Sequence, residues 1–238
     1  MAIIIAQDGI ASDDTKPAKV PDTLILSATD WCPYSCFDSK GQPGIVHEYI
    51  RMVLKKHGHI LQVNYHPWSR AIREATEGRS HGLMAAIPEE TPSLVFTAQA
   101  FSHYTDCFVT RLESDWQYTG AESLHDLRLG VVNSYSYSDE VDDYILNGGD
   151  KVQALSGDHA VLRFFKLLDA RRIDAFIDDI SVIKWEARKY QYSMREYRVA
   201  GCHAAKPLFV ALHPKLPWIA SFMALIDKES KNPESVNF

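Results

Sequence analysis

Short apolar runs alternate with segments of helical period along most of this chain, and the alternation occurs twice. Leu24-Ile25-Leu26 reads as a buried strand. Val46, Tyr49, Ile50, Val53 and Leu54 then recur on one face of an amphipathic helix that stops at Gly58. Residues 60–65 alternate as a strand, Pro67 suits the first turn of a second helix ending near Glu77-Gly78, and 82–87 is again apolar. This strand–helix–strand order predicts a parallel α/β sheet. The pattern restarts with strands at 107–110 and 129–132, a helix at 138–146 and a strand at 152–155. A helix at 158–170 follows, with Ala160, Val161, Phe164, Phe165 and Leu168 on one face, then a strand at 173–177. A last strand at 208–212 and a closing helix at 217–226 complete the series. Two α/β lobes with a cleft between them are the simplest architecture. No repeat of fixed period is visible, which argues against a solenoid.

Composition narrows the functional classes. The 238 residues carry 25 basic and 31 acidic side chains, a net charge of −6. Nucleic-acid binding normally needs a basic face to replace phosphate counterions, so no nucleic-acid partner is expected. No apolar run approaches the roughly 18–20 residues that span a bilayer. Residues 1–21 open with a short apolar stretch lacking a basic flank and continue through Asp8, Asp13, Asp14, Pro17 and Pro21. They read as a leader remnant or polar tether outside the fold.

Enzyme signatures are mostly absent. There is no GxSxG, GxGxxG or GxxxxGK[ST]. His47-Glu48 begins an HExxH-like stretch, but Arg51 stands where a second zinc ligand is needed. His57 and His59 read as solvated surface rather than a metal site. Glu89-Glu90 and Asp178-Asp179 are adjacent carboxylates, conceivable as an acid/base pair, although sequence neighbours usually point apart. No catalytic residue, metal or cofactor is expected. Cysteine usage says more: of the four cysteines, Cys32 and Cys36 are local, whereas Cys107 and Cys202 are far apart. That even count fits two disulfides in an oxidising compartment, with buried thiols or a metal site as the other readings.

Several motifs then stand in order: Thr29-Asp30-Trp31-Cys32-Pro33-Tyr34, Gly44-x-x-x-Glu48, Pro67-Trp68-Ser69-Arg70-Ala71 and Gly78-Arg79-Ser80-His81-Gly82. Phe96-Thr97, Leu129-Gly130-Val131-Val132 and Arg172-Ile173-Asp174-Ala175-Phe176-Ile177-Asp178-Asp179 continue the series. Together they resemble the bacterial extracellular solute-binding proteins of family 3, the periplasmic amino-acid-binding type, over residues 23–227. The resemblance implies a type II periplasmic-binding fold: two α/β lobes, each a mostly parallel sheet flanked by helices, joined by two crossover strands. Lobe 1 would comprise 22–103 with 206–238, including a C-terminal tail, and lobe 2 would comprise 104–205. It would bring Cys107, after the first crossover, beside Cys202, before the return strand.

The same resemblance suggests a ligand site. Trp31 and Trp68 match the two aromatics that face the family's ligands, and an indole face suits an ammonium or a flat apolar group. Ser134, Tyr135 and Ser136 fall where backbone N–H groups at a helix N-terminus bind a ligand carboxylate. Asp179 matches the ammonium-binding Asp, with Asp178 as its solvated or capping neighbour. Ala86, beside Ala85, replaces residues that often carry hydroxyls. The family Arg that clamps an α-carboxylate is missing from Pro88-Glu89-Glu90-Thr91-Pro92-Ser93. Arg70 is the candidate replacement, its other reading being a surface Arg.

The expected protein is a periplasmic monomer that binds a small polar solute (amino-acid-like, amine or small carboxylate) and passes it unchanged to an inner-membrane ABC permease. Two other readings stand beside it. One is a stand-alone ligand-sensing module. The other is a dehydratase-like lyase, for which Glu48, Glu89 and Glu90 are the available acid/base groups.

Overall fold

Two β-sheets, each sandwiched by helices, face each other across a cleft in the computed structural model, which describes residues 18–37, 41–157 and 159–230. The leader or tether reading of 1–21 falls mainly on 1–17, outside the described residues, as does the tail at 231–238. Ala18 and Val20 are described: Val20 is buried, and the Ala18 carbonyl accepts a hydrogen bond from the Ser221 hydroxyl at 2.6 Å.

The first sheet contains β1 (Thr23–Ala28), β2 (Ile60–Tyr65), β3 (Gly82–Ala86), β4 (Val95–Phe96), β5 (Ser102–Tyr104) and β11 (Lys206–Leu212). Its order is β2-β1-β3-β11-β4, with β5 also paired to β11. β1 runs parallel to β2 and β3, while β11 is antiparallel to its partners. Every residue of β3 is buried, as a central strand covered on both faces requires. Gly82 is there because a side chain would strike the Ala211 carbonyl on β11. Helix α1 (Ile45–Lys56) buries Val46, Ile50, Val53 and Leu54, the stripe its sequence period marks, and α2 (Trp68–Thr76) buries Trp68, Ala71 and Ala75. Helix α6 (Ile219–Ser230) closes this lobe, its Glu229 pairing with Lys56 at 2.7 Å and His57 at 2.9 Å.

The second sheet has the order β10-β6-β9-β7-β8, from β6 (Asp106–Arg111), β7 (Leu129–Val132), β8 (Val152–Leu155), β9 (Ala175–Asp179) and β10 (Tyr197–Cys202). β7 is parallel to β8 and β9, and β6 is antiparallel to β9 and β10. Helices α3 (Asp139–Asn147), α4 (Ala160–Asp169) and α5 (Ile180–Lys189) flank it. Phe164 and Phe165 of α4 and Phe176 of β9 are fully buried, each contributing about 1.5–3 kcal/mol by leaving water. The chain passes between the sheets at Thr105, between β5 and β6, and again between β10 and β11.

Three elements depart from the sequence pattern. β9 runs 175–179 rather than 173–177, so both Asp178 and Asp179 belong to the strand. α5 follows it without a breaker residue, Asp179 serving as the last strand residue and the helix N-cap. β10 also escapes pattern reading, because a register shift between Val199 and Gly201 breaks its alternation. Both cysteine pairs are bonded: Cys32–Cys36 with Cα atoms 4.9 Å apart, and Cys107–Cys202, across β6 and β10, with Cα atoms 4.0 Å apart.

Candidate ligand-binding cleft

Carboxyl ends of parallel strands are where open α/β sheets place their ligands, and here β1, β3, β7 and β9 all end at the interlobe cleft. Two adjoining cavities lie there, sharing Thr29, Trp31, Trp68 and Tyr135 as common wall. The first is also lined by Asp30, His159, Asp178 and Glu186. The second adds Ala85, Glu90, Tyr104 and Asp106.

Trp31 stands on a tight loop after β1. Its N–H donates to the Ser35 carbonyl at 2.7 Å, the Ser35 N–H donates back at 3.1 Å, and the Ser35 hydroxyl donates to the Thr29 carbonyl at 2.7 Å. The Cys32–Cys36 bond closes the same loop. Gly44 secures it from behind: its φ is +96°, and a Cβ there would collide with the Tyr34 carbonyl. So held, the Trp31 ring lies 4.5 Å from Tyr34, 5.8 Å from Tyr104 and 6.4 Å from Tyr135 of lobe 2. Trp68 opens α2 and meets Tyr135 edge-on at 6.4 Å.

A carboxylate links the two lobes. Glu90 Oε2 accepts the Trp68 indole N–H at 2.8 Å, and Oε1 accepts the Ser136 backbone N–H at 2.9 Å. Burial pushes the Glu90 carboxyl up to about 7, against those two hydrogen bonds. The Ser136 turn is itself fixed from within: its hydroxyl donates to Asp142 Oδ2 at 2.6 Å, Tyr137 N–H donates to Asp142 Oδ1 at 3.0 Å, and Ser138 caps α3.

The adjacent pair on β9 divides its roles. Asp179 is fully buried and accepts backbone N–H groups from Thr105 at 2.7 Å, Ser181 at 2.8 Å and Val182 at 3.0 Å. Asp178 lines the first cavity, and burial, with the Asp179 charge adding to it, raises its carboxyl to about 7. Asp106, directly across from Asp179 on β6, is 4% exposed. Burial, reinforced by Asp178 and Asp179, holds it well above the carboxylate range.

Of the residues expected at the site, Trp31, Trp68 and Tyr135 line both cavities, and Ser136 reaches the cleft through its backbone. Four are placed elsewhere. Asp179 is the N-cap and Asp178 the cavity residue, the reverse of the expected division, because α5 starts at Ile180 and needs its cap one residue earlier. Arg70 is exposed and lies 3.6 Å from Glu74, one turn along α2, so it brings no positive charge to the cleft. Ala86 packs in the core with Trp68, Ala71 and Leu83, and Ala85 takes the cavity position. Ser134 is an exposed turn residue with φ +68°. Tyr104 and Asp106 line the site outside the motif positions; for Asp106 the sequence signal is an acid opening an otherwise apolar strand. Among the described residues no cluster of three or more His, Cys, Asp or Glu side chains is arranged to hold a metal, and no helix is long and apolar enough to cross a membrane.

No protein-family model matches the chain, and no curated protein does. Solved structures do. An ancestral arginine-binding protein bound to arginine superposes with a TM-score of 0.73 at 17% identity, covering 90% of this chain and 95% of that one. A periplasmic binding protein of Salmonella typhimurium, described for its high arginine specificity, gives 0.68 at 16% identity, with 90% and 96% covered. A histidine kinase sensor domain similar to periplasmic binding proteins gives 0.68 at 17% identity over 87% of each chain. At these identities the likeness speaks for the fold alone: the chain has the two-lobed, type II periplasmic-binding fold.

Proposed function

We propose that this chain is a periplasmic solute-binding protein that holds a small polar molecule between its lobes and releases it unchanged to an inner-membrane ABC permease. The observation that carries the reading is the shared wall of the two cavities, to which lobe 1 contributes Trp31 and Trp68 and lobe 2 contributes Tyr135. A ligand touching both lobes binds the closed arrangement better than the open one and so shifts the equilibrium toward closure. In this reading Trp31, Trp68 and Tyr135 stack on the solute, the backbone around Ser136 orients it, and the protein acts as a monomer. Two bonded cysteine pairs support an oxidising compartment.

A sensing role for the same module is the second reading, favoured by the likeness to a histidine kinase sensor domain. Both roles require binding without turnover. A thermal-shift screen over amino acids, amines and small carboxylates tests this: saturation at ~100 times Kd adds about 2.7 kcal/mol, a readily measured rise in melting temperature. Mass spectrometry of the best hit after incubation is expected to return it intact. Catalytic loss of the compound would instead favour the lyase, with the Glu90 carboxyl, near neutrality, as its acid/base group.

A further inference from the structure

We propose that the cavity lined by Glu90 and Asp106 selects an organic cation without a carboxylate, an amine or a guanidine, because Glu90 occupies the anion position that the lobe 2 turn offers. The inference rests on reading the cleft as a solute site and names the class of solute. The Ser136 N–H precedes α3, at the positive end of the helix dipole, where an anion is stabilised. Its acceptor is Glu90 Oε1 at 2.9 Å, and the second oxygen of the same carboxylate holds Trp68 at 2.8 Å. A ligand carboxylate at this N–H would lie against Glu90, and two carboxylates in contact do not both stay ionised.

The cavity that Glu90 lines also asks for a donor. Asp106 is 4% exposed, lines the cavity, and its Oδ2 has no hydrogen-bond partner. The Tyr104 hydroxyl beside it is likewise buried and unpartnered. Lys206 is the basic group whose charge reaches Asp106, and its ammonium donates to the Tyr137 carbonyl. Burial holds the Asp106 carboxyl well above the carboxylate range, so in the empty cleft it keeps its proton and still leaves Oδ2 unpartnered. A ligand ammonium or guanidinium supplies that donor as a charge-assisted hydrogen bond, and the Trp31 and Tyr135 faces offer it cation–π contact. A cation alone also stabilises the ionised form of Asp106, whereas an anionic solute meets the acidic groups Glu90 and Asp106 on the same lining.

Matched pairs that differ by one carboxylate isolate the effect. Calorimetric titration of the whole chain with agmatine against arginine, and cadaverine against lysine, is expected to show the amine bound at least tenfold more tightly in each pair. Asp106→Asn is expected to weaken the amines at least tenfold. Glu90→Ala frees the Ser136 N–H and is expected to improve arginine relative to agmatine at least tenfold. Should that variant fail to fold, Glu90→Gln keeps an acceptor for Ser136 while removing the charge, and is expected to narrow the same preference. Arginine or lysine binding within threefold of its amine, or more tightly, overturns the cation assignment and leaves solute binding standing. A melting temperature unmoved by amines, amino acids and small carboxylates alike overturns both.

Discussion

The two rims that meet across the cleft are built differently. The lobe 1 rim is made of loops: the turn carrying Trp31, closed by a bond between cysteines four residues apart, and the segment after β3 that delivers Glu90. The lobe 2 rim combines a turn, which carries Tyr135 and Ser136, with strand ends: Asp106 opens β6, Asp178 and Asp179 end β9, and a bond spanning 95 residues ties β6 to β10. Loop residues can reach across the gap, as Glu90 does to Ser136. Strand residues stay within their sheet: Asp179 is held there by three backbone N–H groups, while Asp178 and Asp106 are buried carboxyls whose hold on the proton burial strengthens. Both rims therefore contribute aromatic surface, with lobe 1 supplying the carboxylate that reaches across and lobe 2 the carboxyl groups fixed in strands.

The largest effect expected from this contrast is in the two disulfides. On the loop-entropy model, closing 95 residues contributes about 4.7 kcal/mol, and closing four about 2. Denaturant melts of the Cys107→Ala/Cys202→Ala and Cys32→Ala/Cys36→Ala variants measure both. Equal losses break the contrast, because the short bond would then hold the Trp31 loop by more than chain entropy.

Next comes the pair on β9. Asp179→Ala strands three backbone N–H groups and is expected to cost about 3 kcal/mol of stability. Asp178→Asn is expected to be neutral or stabilising near pH 8, since it removes a buried charge. The reverse order in thermal melts would sink the assignment of Asp179 as cap and Asp178 as cavity wall.

A pH series sharpens the same pair. Asp178 is raised to about 7 when folded, so between its unfolded value and 7 the native state holds the proton that the unfolded chain has lost. Its contribution is therefore fully retained at low pH and declines as pH rises through that window. The decline should reach about 2 kcal/mol between about pH 5 and about pH 7, at roughly 1.4 kcal/mol per unit. Subtracting the Asp178→Asn melt from wild type cancels titrating groups that do not interact with Asp178, and leaves Asp178 together with its coupling to Asp106, Asp179 and Glu186. A flat difference curve refutes the buried, proton-holding Asp178.

Legibility from sequence follows the same division of rims. β2, β7 and β8 and the apolar faces of α1 and α4 were readable because period alone decides which side faces the core. Trp31, Trp68 and Tyr135 were readable as motif positions. The misplacements were mostly one-residue slips: Ala86 for Ala85, and Asp179 for Asp178. Successive strand residues point to opposite faces, so a slip of one exchanges cavity for core. In β9 the strand runs two residues past its apolar stretch, and composition does not mark that extension. Arg70 reads from sequence as a substitute positive charge, but it lies exposed against Glu74, and the segment after β3 brings the carboxylate of Glu90 to the cleft. Glu90 was visible in the sequence, but its partners, Trp68 and Ser136, lie 22 and 46 residues away, and only the folded chain joins them.

The smallest expected effect lies on that joint. Trp68→Phe keeps an aromatic ring against Tyr135 and removes the indole N–H that donates to Glu90 at 2.8 Å. The loss should be about 1–2 kcal/mol in stability, the range for a hydrogen bond to a charged or half-charged acceptor. With one of its two donors gone, Glu90 should also hold its proton to higher pH, since both hydrogen bonds pull it down against burial in the wild type. The check is the midpoint of the Glu90 side-chain carbon resonance in an NMR titration, compared between Trp68→Phe and wild type. An upward shift supports a carboxylate clamped between α2 and the Ser136 turn. An unchanged midpoint alongside an unchanged melting temperature means that the Trp68 N–H does not hold Glu90, and the lobe 1 rim then reaches across the cleft through Ser136 alone.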